Sequence, residues 1–392
     1  MSRLLEYVLI GWSLVAAGWW AIAIGLVLLQ RNGPSRRRET VTEITPRNRS
    51  TVSIFKPIAA SRDDAPLTEL VAALESFVSQ MDESAEMLLG IEEKDAAKWQ
   101  PVIEQWRRKF PRAQLKPIVE PRPARFLSPK VSWFHTLAKH ASGELWMWSD
   151  SDIVALPGLI DTMRGELADG RAGLVTCPYI VRHIDNGPMM LEALFANLEF
   201  YPGVLLCRRT GPVQFAFGAA MMFTAARFRE RAEWEKLGAR MADDNALGHA
   251  LAPVRISEAT VETLASESNW RHAVQHYLRW QKTVRWCQPA GFAGQIVILP
   301  GLGWLLATLA HPASAMAWLG LALTMQIEML AAVTVFGLIG CELRSWWVIG
   351  LWSLLLRPLT WVACWAPWPV VFRSQNRKWF SLYQSISLES ET

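Results

Sequence analysis

Residues Glu144 to Gly158 read ELWMWSDSDIVALPG, and this stretch decides how the chain folds. Leu145-Trp146-Met147-Trp148 is an apolar run of strand length that ends directly in two carboxylates, Asp150 and Asp152. An uninterrupted apolar run marks a strand buried on both faces, as in parallel sheets. In open α/β sheets ligands collect outside the carboxyl ends of the strands. The stretch therefore reads as a central strand that delivers two acids to a binding edge.

The flanking sequence fits such a sheet. VSIFKPI (52–58), EMLLGI (86–91), QLKPIVE (114–120) and AGLVTCPYI (172–180) are strand-like. PLTELVAALESFV (66–78), AAKWQPVIEQWRRKF (96–110) and LPGLIDTMRGELA (156–168) carry helical periodicity. Strands that alternate with helices imply parallel βαβ units. Residues 51–265 thus read as an α/β domain. FAFGAAMMF (215–223) reads as a further buried strand, or, with its small residues at Gly218, Ala219 and Ala220, as the lining of an acceptor route.

Both ends of the chain are of another kind. Residues 7–29 are almost uncharged and of bilayer-spanning length. Arg31, Arg36, Arg37 and Arg38 follow, against Arg3 alone before, which places residue 31 onward in the cytoplasm. No small-residue cleavage site follows, so the segment reads as an uncleaved anchor, with 30–50 a basic linker. Residues 290–372 turn apolar again. The runs 291–310 and 313–340 are each long enough to span, and 346–372 is interrupted by Arg357-Pro358, Pro367 and Pro369. Gln326 and Glu328 are expected to face a protein interior or polar cavity. Residues 373–392 form a polar tail.

Composition agrees. Of 392 residues, 51% are hydrophobic and 19% charged, a departure in the membrane direction. There are 21 Trp against 5 Tyr, and Trp in apolar segments favours bilayer interfaces. The net charge of +4 comes without a basic-aromatic block, so nucleic acid is not an expected partner. Five widely spaced cysteines form no CxxC pair or zinc spacing.

Three constellations carry chemistry. Asp150-Ser151-Asp152 offers two hard oxygens to one divalent cation, magnesium or manganese, which commonly bridges to phosphate. A helix cap is the plainer alternative. Asp243-Asp244, in ADDNALG, is a like-charged pair whose pKa values repulsion would separate, so that one acid can serve as general base. Acids at a helix start are also favoured by the dipole alone. His276, Arg279 and Trp280, in HYLRW, fall at i, i+3 and i+4 and share one helix face. Arg279 suits a phosphate, and Trp280 a flat pocket wall. The same segment, 266–289, also reads as an amphipathic helix on a membrane surface.

In this order, and with the anchor, the motifs resemble those of the ceramide glucosyltransferase family of membrane glycosyltransferases, which includes bacterial hopanoid-associated enzymes. The resemblance covers nearly the whole chain, from SIFKPI with Lys56-Pro57 through IEEKDAA, SPKVSW, SDSDI, GLVTCPY, FAFGAAMMF, ADDNALG and HYLRW. It implies a GT-A (Rossmann-like) α/β fold flanked by transmembrane helices, in a multi-pass protein of the bacterial inner membrane with a cytoplasmic catalytic domain. It implies a UDP-sugar donor, a divalent cation and a membrane lipid acceptor, ceramide or a hopanoid polyol. Asp95 matches the acid at the nucleoside end and Lys130 a donor-binding position. Asp150 and Asp152 match the metal pair and Asp244, beside Asp243, the catalytic base. Arg279 and Trp280 match the residues over the diphosphate and acceptor. Two positions depart from the pattern: His276 stands where the family has Gln or Arg, and Asp243 where it has Glu. A polysaccharide synthase and a non-catalytic nucleotide-sugar-binding protein are the competing readings. The first expects a longer transmembrane bundle.

Overall fold

The computed structural model describes residues 1–32, 50–58, 67–240, 242–265, 269–342 and 344–365, and the backbone of 372–374 and 377–379. The linker at 33–49 and the polar tail's side chains lie outside the described residues. The chain forms two compact units. One gathers Met1–Asn32, Val181–Leu205 and Ala265–Tyr383, and the other Gly33–Ile180, Leu206–Leu264 and Gln384–Thr392.

The second unit is built on a sheet of seven strands: β1 (Val52–Pro57), β2 (Ala85–Glu92), β3 (Gln114–Glu120), β4 (Leu145–Ser149), β6 (Leu174–Thr176), β8 (Ala220–Thr224) and β9 (Val254–Ile256). Their order is β3-β2-β1-β4-β8-β6-β9. β1 pairs parallel with β2 and β4, and β2 with β3. β8 runs antiparallel to β4 and β6. This is the mixed α/β architecture that the GT-A resemblance implies. Every residue of β1, β2 and β4 is buried, as uninterrupted apolar strands require. β3 carries Pro117, which lacks a ladder donor, and it lies at the edge where that loss is tolerated.

Alternation along β4 sends Trp146 and Trp148 to one face and Met147 to the other. Trp148 stacks on Phe134 of the helix Pro129–Ala138, at 4.3 Å between ring centroids, and lies 5.2 Å edge-on to Phe223 of β8. The opposite face is covered by the helices Leu67–Val78, Ala96–Lys109 and Leu159–Ala168, through Leu74, Ile103 and Met163. The run that opened the sequence reading is thus a central strand with an aromatic layer above and an aliphatic layer below. Replacing Trp148 by Ala would cost about 3–5 kcal/mol.

Two sequence expectations change in detail. Residues 172–180 form two strands, β6 and the short β7 (Tyr179–Ile180), because Pro178 interrupts the donor row. β7 belongs to a separate three-stranded sheet with β10 (Val261–Thr263) and β5 (Ile153–Val154). In FAFGAAMMF only the second half is a strand, and Phe215–Ala219 form the loop that leads into β8.

Among the described residues four helices are long and apolar enough to cross a membrane: Arg3–Arg31, Gly187–Thr210, Ala315–Ile339 and Trp347–Trp365, the second of which runs on past Leu205 into the second unit. A bent pair, Pro289–Ile298 and Pro300–Ala310, turns by 52° and would make a fifth. The expected span at 291–310 is therefore broken, at the proline that cannot donate back to the preceding turn. The helix Trp347–Trp365 passes through a π-helical turn, Trp352–Leu356, just before Arg357-Pro358. Such a turn absorbs the donor that Pro358 lacks.

Tight contacts hold these helices. Trp12 Nε1 of the helix Arg3–Arg31 donates to the carbonyls of Ile296 (3.0 Å) and Val297 (2.9 Å), and Trp304 Nε1 donates to Ser13 Oγ at 2.8 Å. A Cβ on Gly320 would lie 2.4 Å from the Trp304 ring, so only glycine admits that indole. Along Ala315–Ile339 the buried residues include Ala317, Gly320, Leu321, Thr324, Glu328, Ala331 and Ala332, a single stripe of helical period. Glu328 lies on it as expected, 3% exposed, accepting from Ser353 Oγ with Arg357 Nη1 at 3.6 Å. Gln326 does not. Two residues apart on a helix point about 200° apart, so both cannot face one interior, and Gln326 is exposed.

Candidate active site

The α/β unit builds its acid cluster at one edge of the sheet. β4 ends at Ser149, and Asp150, Ser151 and Asp152 follow in a turn. The backbone of that turn is tied down: Leu264 N–H donates to the Asp152 carbonyl at 3.0 Å, next to the pairing of β5 with β10. The parallel register brings the end of β1 alongside, and this places Lys56 against the turn. Lys56 is fully buried. Its Nζ donates to Ser149 Oγ (2.9 Å) and to the Asp150 carbonyl (2.8 Å), and lies 3.5 Å from the centroid of the Phe77 ring. Burial pulls this ammonium's pKa well below the usual lysine range, against the opposing pull of Asp150 and Asp152.

The other side of the cluster follows from β8. Because β8 is antiparallel to β4 and Ala220 pairs with Ser149, the loop entering β8 arrives at the same edge. Gly218 in that loop donates its N–H to Asp244 Oδ2 at 2.8 Å. A Cβ on Gly218 would lie 2.8 Å from Lys130 Nζ, 3.4 Å from Asp244 Oδ2 and 3.6 Å from Asp150 Oδ2. Lys130, early in the helix Pro129–Ala138 capped by Ser128, reaches Asp150 Oδ1 at 2.6 Å. Lys130, Asp150 and Asp244 therefore converge on one α-carbon.

Asp243 and Asp244 open the helix Asp243–Leu251, but neither caps it: Ala242 is the cap, without a side-chain bond. Asp244 Oδ1 accepts from Asn245 N–H at 2.8 Å. Asp243 is 8% exposed and its Oδ2 has no hydrogen-bond partner. Burial pushes Asp243 up to about 6, opposed by Lys130 and assisted by Asp244 and Asp150. Burial raises Asp244 as well, opposed by Lys130 and by the amides of Asn245 and Gly218. Burial alone would lower the Lys130 pKa, but the surrounding carboxylates outweigh it and raise it.

The donor set suits a hard divalent cation, since Asp150 and Asp152 offer only oxygens, although a cation there would share Asp150 with Lys130. Among the described residues no group of three or more His, Cys, Asp or Glu forms a metal cage. Asp150 and Asp152 would hold such a cation only with further oxygen ligands from outside the acid pair.

The other sequence-predicted residues fall elsewhere. Asp95 lies at the same carboxyl edge, after β2, two strands from β4, and is the N-cap residue of the helix Ala96–Lys109, without a side-chain bond to it. His276, Arg279 and Trp280 belong to the first unit, on the helix Trp270–Cys287. There His276 and Trp280 meet at 4.0 Å between ring centroids, as the shared face predicts. The sequence points to no role for Lys56 or Glu192, the latter 2.6 Å from His276 Nδ1, although a lysine inside an apolar strand was a signal for the first. Gly218, expected at most to line an acceptor route, instead donates its N–H to Asp244.

The fold thus sets a cluster of carboxylates and a lysine at one edge of a mixed α/β sheet. The chain belongs to glycosyl transferase family 21, whose sequence profile matches residues 12–375. No curated protein sequence matches it. Among solved structures it is similar to the mannosyltransferase PcManGT from Pyrobaculum calidifontis in complex with GDP-Man and Mn2+. That match has 17% identity and a TM-score of 0.41, over 90% of this chain and 97% of that one. It is also similar to GalNAc-T7 with UDP, GalNAc and Mn2+, at 10% identity and a TM-score of 0.41, over 61% of this chain and 48% of that one.

Proposed function

We propose that this protein is an inverting glycosyltransferase that moves a hexose, glucose in the first instance, from a UDP-sugar to a hydroxyl of a membrane lipid. Ceramide and a hopanoid polyol are the acceptors of choice. The observation that carries this reading is the convergence of Lys130, Asp150 and Asp244 on Gly218, in a chain of a glycosyltransferase family with four helices apolar enough for a bilayer.

Each residue then has a task. Lys130 turns its ammonium toward the diphosphate of the donor, and Asp95 meets the nucleoside end. Asp150 and Asp152 hold magnesium or manganese, which would stabilise charge on the leaving diphosphate. Asp244 takes the proton of the attacking hydroxyl. Its two oxygens each accept one backbone N–H, which fixes the carboxylate plane and leaves a lone pair free on each. It is also less buried than Asp243, so an acceptor reaches it first. Attack opposite the leaving group inverts the anomeric carbon in one displacement. Arg279, Trp280 and His276 take the diphosphate and acceptor roles that the family motif implies, with Trp280 the flat wall of the acceptor pocket.

The test is transfer by purified full-length protein, offered a panel of UDP-sugars and a total lipid extract, with products read by mass. A hexosyl lipid formed by wild type, and lost in Asp244→Asn, is expected. No transfer to any lipid, or an Asp244→Asn variant equal to wild type, would overturn the reading.

A further inference from the structure

Within the first unit four side chains from two helices close a circuit. Glu192 Oε1 lies 2.6 Å from His276 Nδ1, with the side chains 3% and 6% exposed. The His276 ring meets Trp280 at 4.0 Å and 43°. Trp280 stacks on Phe195 at 4.7 Å and 23°. Phe195 returns the circuit to Glu192, three residues earlier on the same helical segment, where the π-helical turn Phe195–Phe200 begins. Trp280 is thus held between a ring fixed by a carboxylate and a ring from that carboxylate's own helix.

A buried carboxylate in an apolar helix is costly, and an aliphatic residue would pack there without that cost. Neighbouring polar groups have evident structural duties. Asn197 donates to the Val181 carbonyl and accepts from its N–H, and Glu199 accepts from Tyr277, Gln281 and Trp352. Glu192 instead faces the imidazole that departs from the Gln or Arg pattern of the motif. An imidazole has two distinct nitrogens, and its ring orientation is set by the partner of one of them. The contact of Nδ1 with Glu192 therefore sets the orientation of the His276 ring.

We propose that Glu192 is a positioning residue for the His-x-x-Arg-Trp face: it sets the His276 ring, and that ring together with Phe195 fixes the plane of Trp280. The proposal rests on the functional reading above, in which Trp280 walls the acceptor side. It adds a group, on a helix outside all the motifs, that acts through His276.

The experiment compares wild type, Glu192→Gln, His276→Gln and the double variant in the lipid transfer assay, with the thermal midpoint of each followed in parallel. Glu192→Gln should lower kcat about tenfold while donor KM stays within about twofold, the usual scale for losing an orienting partner. In the His276→Gln background the same change should have no further effect, because the ring it orients is gone. Phe195→Leu, which leaves the charge pair intact, should reproduce the kcat loss and carries the test if Glu192→Gln does not fold. Wild-type kcat in Glu192→Gln or in Phe195→Leu overturns the proposal, as does an equal loss in the His276→Gln background. Those results leave the functional reading standing. Absence of transfer by wild type overturns both.

Discussion

The N–H of Gly218 donates to Asp244 Oδ2 across 2.8 Å, while Lys130 Nζ comes within 2.8 Å of the place a Gly218 side chain would occupy. The glycine both orients the candidate base and leaves room for the lysine that reaches Asp150. Gly218→Ala should therefore displace Lys130 or Asp244. A misplacement of about 1 Å in a reacting group costs on the order of 100-fold in rate, and that loss is expected in kcat. The thermal midpoint, measured alongside, should change little, since the loop lies outside the strand ladder.

The acid pair fixes the expected pH dependence. A general base works ionised, so transfer should fall as pH drops through about 6, where the pair takes up a proton. Asp243→Asn removes a like charge beside Asp244 and should move that limb to lower pH. Stability has the opposite sign. Between pH 3.8, the ordinary aspartate value, and about 6 the folded protein keeps a proton that the unfolded chain has released. Stability therefore declines as pH rises through this window. Thermal midpoints across that range should show the decline in wild type and less of it in Asp243→Asn. A pH–rate profile with no acid limb above pH 5 would contradict the assignment.

Asp152→Asn should abolish transfer by weakening metal and diphosphate binding. Manganese titrated in the presence of UDP, and followed by the resonance of the free ion, should show binding to wild type and at least tenfold weaker binding to the variant, a difference of about 1.4 kcal/mol. Chelation of wild type should reproduce the loss and added manganese reverse it. Full activity in Asp152→Asn would refute the metal pair.

Lys56→Met keeps an unbranched side chain one atom shorter and removes the donors to Ser149 Oγ and the Asp150 carbonyl. Stranding buried acceptors costs about 1–3 kcal/mol. Against this, the variant no longer buries an ammonium, so the net change in stability is expected to be smaller than the change in rate. Transfer should fall at least tenfold, because the turn that carries both acids loses its anchor. A denaturation curve and a transfer assay on the same sample separate the two effects.

Much of the α/β unit is legible in the sequence because one physical signal dominates it. Strands buried on both faces leave uninterrupted apolar runs, and β1, β2 and β4 are of this kind. The acids that follow such a run can be read as lying at an edge. What lies over them cannot. Gly218 is 68 residues beyond Asp150 and meets it only because β8 turns antiparallel and registers Ala220 against Ser149. Pairing register is not written in either strand alone. The same holds for Glu192: its partner His276 lies 84 positions away, and the segment at 187–210 carries two glutamates that mask its apolar character. At Gln326 the composition of the segment was read correctly and the angle around the helix was not.

The discontinuity of the helical unit bears on how this protein can be handled. Between Val181 and Leu205 the chain leaves one compact unit to take part in the other, then returns. Trimming to 51–265, which removes both apolar ends, would look like a route to a soluble enzyme. It would keep the helix Gly187–Thr210 and strip away the helix Trp270–Cys287, and with it the partners of Glu192 and Glu199 at His276, Tyr277 and Gln281. The apolar face of that helix would then be bared to water, and such a fragment is expected to aggregate. Expression trials therefore do better to keep the full chain and to supply detergent from the outset.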